Sequence, residues 1–288
     1  MEDSHEHGRP FVTRQESPLW RLDGRVVLIT GAAGLLGEMH AEAVAEAGGV
    51  PVLLDLRGAR GGEVAQRLRD KYGVDALAVE ADVTKKSSLE AARDQILHRC
   101  GRIDVLVNNA AIDSKVGAGG TVAGMRFENF SVEQWSQELA VGLTGALLGC
   151  QVFGAHMARQ QSGVIINISS DLGLIAPDQR LYRKSGLPDS EQPVKPVTYS
   201  VIKHGLIGLT RYLATYWADR YVRVNALAPG GVRTDQPEEF VQKLSSLIPL
   251  GRMARRDEYK GALVFLASDA SSYMTGATLV VDGGRSCW

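Results

Sequence analysis

Two hydrophobic patterns alternate along this chain. Short apolar runs occupy 25–30, 50–55, 76–80, 103–107, 163–168, 222–227 and 278–282, and near-continuous runs of this length mark strands buried on both faces. Between them, 35–48, 62–72, 87–99, 132–160, 199–216 and 259–267 carry apolar positions at helical spacing. This alternation predicts an α/β fold with a single doubly wound parallel sheet, Rossmann-like, and helices on both faces. A polar stretch at 171–198 interrupts the rhythm, but no repeat or proline-rich linker divides the chain. The expected organisation is a polar N-terminal extension at 1–21 and one domain at 22–288.

With 288 residues, 44% of them hydrophobic, there is material for a substantial core. A formal net charge of -1 supplies none of the positive field of a nucleic-acid binder, so no nucleic-acid partner is expected. Cys100, Cys150 and Cys287 are odd in number and far apart, which predicts neither a disulfide framework nor a metal site. His5 and His7 have no acid or cysteine at useful spacing to complete a metal site. Glu2, Asp3 and Glu6 stand where a secretory leader would be basic. No stretch reaches the roughly 20 uninterrupted apolar residues of a membrane span. A cytoplasmic location without a membrane partner is the expectation.

The first candidate chemistry lies between the first strand and the first helix, in Thr30-Gly31-Ala32-Ala33-Gly34-Leu35-Leu36-Gly37. Glycines there permit a tight turn and bring backbone amides to a pyrophosphate. Gly31, Gly34, Leu36 and Gly37 are therefore candidate cofactor contacts. Asp55, closing the second strand, can accept hydrogen bonds from both adenosine ribose hydroxyls and would repel a 2′-phosphate, which favours NAD over NADP. Arg57 argues the other way, since it could meet a 2′-phosphate.

Further motifs follow in chain order: Asp82-Val83, Asn108-Asn109-Ala110-Ala111, Ser169-Ser170, Tyr199-Ser-Val-Ile-Lys203, and Pro229-Gly230 through Thr234. In this order they closely resemble the short-chain dehydrogenase/reductase family, over about 22–284. The resemblance implies that Asp82 and Val83 lie beside the adenine and that Asn109, Ala110 and Ala111 lie along the cofactor. It further implies that Pro229, Gly230, Val232 and Thr234 reach the nicotinamide end. It makes Tyr199 the catalytic acid/base, Lys203 its electrostatic partner and a holder of the nicotinamide ribose, and Ser170 the donor to the substrate oxygen. The spacing of Tyr199 and Lys203 puts both on one helix face. An ammonium beside a phenol of ordinary pKa about 10 favours phenolate. The activity implied is interconversion of a secondary alcohol and a ketone by hydride transfer.

Three departures from the family pattern shape the finer expectations. Gly142-Leu-Thr-Gly145 stands where an asparagine usually begins N-x-x-G, and the space at Gly142 is expected to admit a water. The turn is GxxGxxG, the extended-branch spacing, although the Asp282-Gly283-Gly284 tail and the YxxxK are of the compact kind. The connection from Ser170 to Tyr199 is long, making a substrate insert near 171–198 with Asp178, Gln179, Tyr182, Lys184 and Lys195, and with Arg180 and Arg183 as candidate substrate contacts. Together these features resemble oxidoreductases of flagellin-modification and nonulosonic-acid pathways, including legionaminic acid, and imply a small polar substrate: a sugar, cyclitol or sugar phosphate. An NAD-binding regulator without turnover and a simple ketone or acyl-chain reductase are the alternatives.

A mobile lid is expected near 235–256. Arg252, Arg255 and Arg256 are read as a solvated helix start, and His204 as facing away from Lys203. A homo-oligomer, tetramer or dimer, is expected through the surfaces of 141–153 and 212–217.

Overall fold

A computed structural model describes residues 19–112 and 122–288. Most of the expected N-terminal extension, with His5 and His7, lies outside the described residues. The seven strands are β1 (Val26–Thr30), β2 (Val50–Asp55), β3 (Leu77–Glu80), β4 (Val105–Asn108), β5 (Gly163–Ile168), β6 (Val222–Pro229) and β7 (Thr278–Val281). They form one sheet in the order β3-β2-β1-β4-β5-β6-β7, with every neighbouring pair parallel. From β1 the chain winds outward to β2 and β3, then crosses to β4 and winds the other way. The switch point therefore falls between β1 and β4, where the carboxyl ends of the strands open a crevice for a ligand.

Seven longer helices cover the sheet: α1 (Leu35–Glu46), α2 (Gly58–Tyr72), α3 (Lys86–Cys100), α4 (Val132–Gln160), α5 (Val197–Tyr216), α6 (Glu238–Ser245) and α7 (Lys260–Ala267). Strand side chains alternate between the two faces. Val27, Ile29, Val105 and Val107 pack with Val44, Val64, Leu263 and Leu266 from α1, α2 and α7. Val26, Leu28, Val52 and Leu54 pack on the opposite face with Leu89, Ile96, Phe153, Met157 and Leu213 from α3, α4 and α5. The doubly wound α/β architecture expected from the apolar runs is present. α2 starts earlier than the expected 62, because Gly58 can lie where a Cβ would come within 3.1 Å of the Glu80 Cβ.

Among the described residues one helix, α4, is long and apolar enough to cross a membrane by length and composition. Its Phe153 and Met157 are fully buried in the core beneath the sheet, which accounts for the apolar stripe. Two π-helical turns, at Ala140–Thr144 and Cys150–Gly154, interrupt it.

A smaller apolar cluster joins the insert to the segment after β6. Leu181 packs with Val241, Leu244, Ile248 and Met253, and the Tyr182 and Phe240 rings lie 5.6 Å apart. The segment expected as a lid thus carries α6 against the insert.

His40 on α1 is fully buried, and neither ring nitrogen has a hydrogen-bond partner. Burial lowers its pKa from 6.5 to about 4. The unfolded chain therefore binds more protons than the folded one between these values. Stability is fully present above pH 6.5 and is lost as pH falls towards 4. His40→Leu is expected to remove this loss, roughly 3 kcal/mol at its full extent. Urea midpoints measured across that pH range check it, and an unchanged acid slope in the variant would refute it.

Candidate active site

The Gly31 turn is built against the end of β4. Gly31 has φ +62, and a Cβ on it would lie 2.8 Å from the Ala110 Cα. A Cβ on Gly37 would lie 2.6 Å from the Ala32 Cα. Helix α1 has Gly34 as N-cap with no side-chain cap, so the amides of its first turn, those of Leu36 and Gly37 included, could serve an anion. The donors and the close backbone approach fit a dinucleotide pyrophosphate.

The two central strand ends are cross-tied here. The Thr30 hydroxyl accepts from the backbone amides of Asn109 and Ala110, each at 3.0 Å. Asn109 Nδ2 donates to the carbonyls of Thr30 at 2.9 Å and Gly31 at 3.1 Å. Thr30 was not a candidate residue, yet a threonine closing an apolar strand at the glycine turn was the signal for it.

Asp55 is buried, with Oδ2 accepting from the Ala33 amide at 3.0 Å and Oδ1 from the Arg57 amide at 3.0 Å and its Nε at 3.3 Å. Its first duty is thus to hold the glycine turn, and the Arg57 guanidinium sits beside it. Asp82 Oδ1 takes both the hydroxyl and the amide of Thr84, and these bonds hold its carboxyl below the usual carboxylate range. Val83 is buried against Gly145, where a Cβ would come within 3.0 Å of it. Ala111 is exposed.

At the end of β5 the candidate catalytic groups converge. Lys203 is only 6% exposed, and its ammonium donates to the Ile168 carbonyl at 2.7 Å. The same ammonium stands 5.6 Å from the Tyr199 ring centroid. The Ser169 hydroxyl donates to the Lys203 carbonyl at 2.8 Å, so the serine turn and α5 are stitched together. The buried Ser170 hydroxyl donates to Asp171 Oδ1 at 2.7 Å, and Asp171 Oδ2 pairs with Arg285 Nη1 at 2.6 Å. This ion pair is buried on both sides, and neither Asp171 nor Arg285 was a candidate.

Gly142 gives a correction. A Cβ there would lie 2.8 Å from Ile202 Cγ2 and 3.1 Å from its Cδ1. The space belongs to the Ile202 side chain, not to a water, because the missing side chain lets α5 pack directly onto α4. One turn earlier, the buried Glu138 accepts from the Thr198 hydroxyl and from Gln134 Nε2.

Beyond β6, the Tyr259 hydroxyl donates to the Gly230 carbonyl at 2.9 Å, and burial pushes that phenol up. Gly230 is close to Asp282, where a Cβ would meet its Cα at 2.9 Å. Pro229 ends β6, Val232 bridges to Ala254, and the Thr234 amide donates to Gln236 Oε1 at 2.7 Å. Arg180 and Arg183 are exposed and pair with Asp178 and Asp189 within the insert. His204 is exposed and bonds the Ser200 carbonyl. Arg252 and Arg255 pair with Glu258 ahead of α7.

The family described as short chain dehydrogenase matches residues 25–182, and one described as enoyl-acyl carrier protein reductase matches 190–286. The chain is 36% identical over 273 residues to a D-threitol dehydrogenase of Mycolicibacterium smegmatis, covering 92% of this chain and 94% of that one. It is also 36% identical over 268 residues to a 3-oxoacyl-acyl-carrier-protein reductase of Aquifex aeolicus, covering 92% and 98%. A gluconate 5-dehydrogenase from Burkholderia cenocepacia, solved with NADP and tartrate, superposes with TM-score 0.81 at 32% identity, over 94% of this chain and 98% of that one. An NAD+-bound xylitol dehydrogenase superposes with TM-score 0.80 at 25% identity, over 91% and 99%.

Because Ile202 fills the space at Gly142, Gly142→Asn is expected to overpack the α4–α5 contact and cost about 1–3 kcal/mol. Ile202→Ala in the same chain should return most of it. Thermal denaturation of the single and double variants checks this, and a single variant as stable as the native chain would refute it.

Proposed function

The chain belongs to the short-chain dehydrogenase/reductase family, and from that membership we propose that it interconverts a secondary alcohol and a ketone on a sugar, cyclitol or sugar phosphate. It is an NAD(P)-dependent oxidoreductase acting on CH-OH groups. The observation that carries the site assignment is the buried Lys203 ammonium, fixed by the Ile168 carbonyl of the strand leading to Ser170 and close to the Tyr199 ring.

When bound, the nicotinamide supplies or takes up the hydride. The first-turn amides of α1, with Gly31, Gly34, Leu36 and Gly37, would hold its pyrophosphate, and Asp55 would receive the ribose hydroxyls. Asp82, Val83, Asn109, Ala110 and Ala111 would flank the nucleotide, and Pro229, Gly230, Val232 and Thr234 its nicotinamide end. Tyr199 exchanges a proton with the substrate oxygen while Lys203 stabilises its phenolate. Ser170 turns its hydroxyl from Asp171 to the substrate oxygen and steadies the charge that develops there.

The polyol and sugar-acid dehydrogenases among its relatives support a polar substrate, as does the polar insert facing Tyr199 with Lys195. The acyl-carrier-protein reductase relative favours a second reading, an acyl-chain ketone. We assign NAD as the preferred cofactor on the Asp55 carboxylate, and a cytoplasmic location in keeping with free Cys100, Cys150 and Cys287. The stacked, exposed Tyr212 and Tyr216 support a homo-oligomer, tetramer or dimer.

A panel of polyols, cyclitols, sugar phosphates and a 3-oxoacyl thioester, followed by nicotinamide absorbance, tests the activity. Tyr199→Phe is expected to lower turnover about 10²–10⁴-fold and to spare cofactor binding. Turnover of the thioester alone would establish the second reading. In parallel, NADH is expected to bind more tightly than NADPH, with Asp55→Asn narrowing the gap about tenfold. Tighter NADPH binding by the native chain would overturn the NAD assignment.

A further inference from the structure

Two ammonium groups approach Tyr199, and further charged side chains stand on the elements around it. On its own helix, Lys203 stands 5.6 Å from the ring centroid. On the serine turn, the carboxylate of Asp171 is already paired with Arg285. On α4, Glu138 accepts from Thr198, the residue preceding Tyr199. From the insert, Lys195 brings its ammonium to 4.0 Å from the ring centroid, nearer than Lys203.

The position of Lys195 is built into the insert. Its amide donates to Gln179 Oε1 at 2.8 Å, and its carbonyl accepts from Gln179 Nε2 at 3.3 Å. One side-chain amide thereby clamps both backbone groups of Lys195. Pro196 follows as the N-cap of α5, with its φ fixed by the ring. Lys195 thus stands four residues before Tyr199 as Lys203 stands four after, held by a clamp at one end and a helix at the other.

We infer that Lys195 is a positioning residue acting through Tyr199, its ammonium joining that of Lys203 to favour the phenolate. A cation near an aromatic ring interacts with the neutral phenol through the ring quadrupole and the hydroxyl dipole, both weaker than a full charge. Once the proton leaves, the same cation meets a full negative charge. The difference makes Tyr199 more acidic than Lys203 alone would make it. The inference gives the insert a part in proton transfer as well as in substrate recognition. It rests on the reading of Tyr199 as the acid/base, but its test is an ionisation rather than a turnover.

The experiment is a phenolate absorbance titration of the full chain. Each variant is taken as a difference against the same variant also carrying Tyr199→Phe, which isolates Tyr199 among eight tyrosines. Lys195→Met and Lys195→Gln are expected to raise the Tyr199 midpoint by about one pH unit. Lys195→Arg, which keeps the charge, is expected to leave it in place. An unmoved midpoint in both neutral variants, with Lys203→Met still raising it, would overturn the inference. So would an equal rise in Lys195→Arg, since packing rather than charge would then be the cause. If the substrate panel fails while the titration shifts as expected, the proposed activity is lost and the electrostatic role of Lys195 stands.

Discussion

A buried ammonium must keep an acceptor, and the bond from Lys203 to the Ile168 carbonyl meets that requirement at the point where β5 gives way to the serine turn. Removing such a charge from water costs several kcal/mol unless hydrogen bonds replace its hydration. The bond therefore fixes α5 against β5 in addition to the apolar packing. Ser169 adds a second stitch through the Lys203 carbonyl. The approach is so close that a Cβ on Gly173 would lie 2.8 Å from that same carbonyl oxygen. Deeper under the sheet, Asn108 donates to Asn167, Asn167 to Thr210, and Thr210 to the Leu206 carbonyl. That chain ties β4 and β5 to the middle of α5. Ser170, Tyr199 and Lys203 thus hold their relation through the scaffold, before any ligand contributes.

The same economy appears at the other strand ends. Thr30 and Asn109 weld β1 to β4 on either side of the switch point. Asp55 braces the glycine turn from β2. Two charged groups beside the chemistry, Asp171 and Glu138, are buried because each has a specific partner on a distant segment. A paired buried charge contributes little net stability, yet losing one partner leaves the other uncompensated. Such contacts penalise any other arrangement of the C-terminal tail or of α5, which is their structural value around Ser170 and Tyr199.

How far the sequence disclosed this arrangement depends on the range of each contact. The strands were legible because burial on both faces leaves uninterrupted apolar runs, and β2 and β5 lie at 50–55 and 163–168 as expected. Gly31, Asp55, Asn109 and Ser170 could be placed because they close or follow β1, β2, β4 and β5, whereas Tyr199 and Lys203 stand on α5. Partners far apart in the chain were not. Arg285 reaches Asp171 across 114 residues, and neither residue type at its position announces the other. Gly142 illustrates the limit most clearly. Its departure from the family pattern was visible, but the occupant of the vacated space was set by Ile202 on a different helix.

The insert is only partly what its composition suggests. A polar stretch between Ser170 and Tyr199 invites the picture of a solvated loop. Residues 183–191 are exposed accordingly, yet two glutamines of the insert bond its backbone groups. Buried Gln192 takes the Lys184 amide and donates to the Lys184 and Leu187 carbonyls, and Gln179 clamps Lys195. Two apolar residues of the insert, Leu181 and Tyr182, meet the apolar face of α6 and the residues after it. The segment after β6 is therefore coupled to the insert by a shared core, and the insert to Tyr199 through Lys195. A displacement of α6 would have to break that core or carry Leu181 and Tyr182 with it.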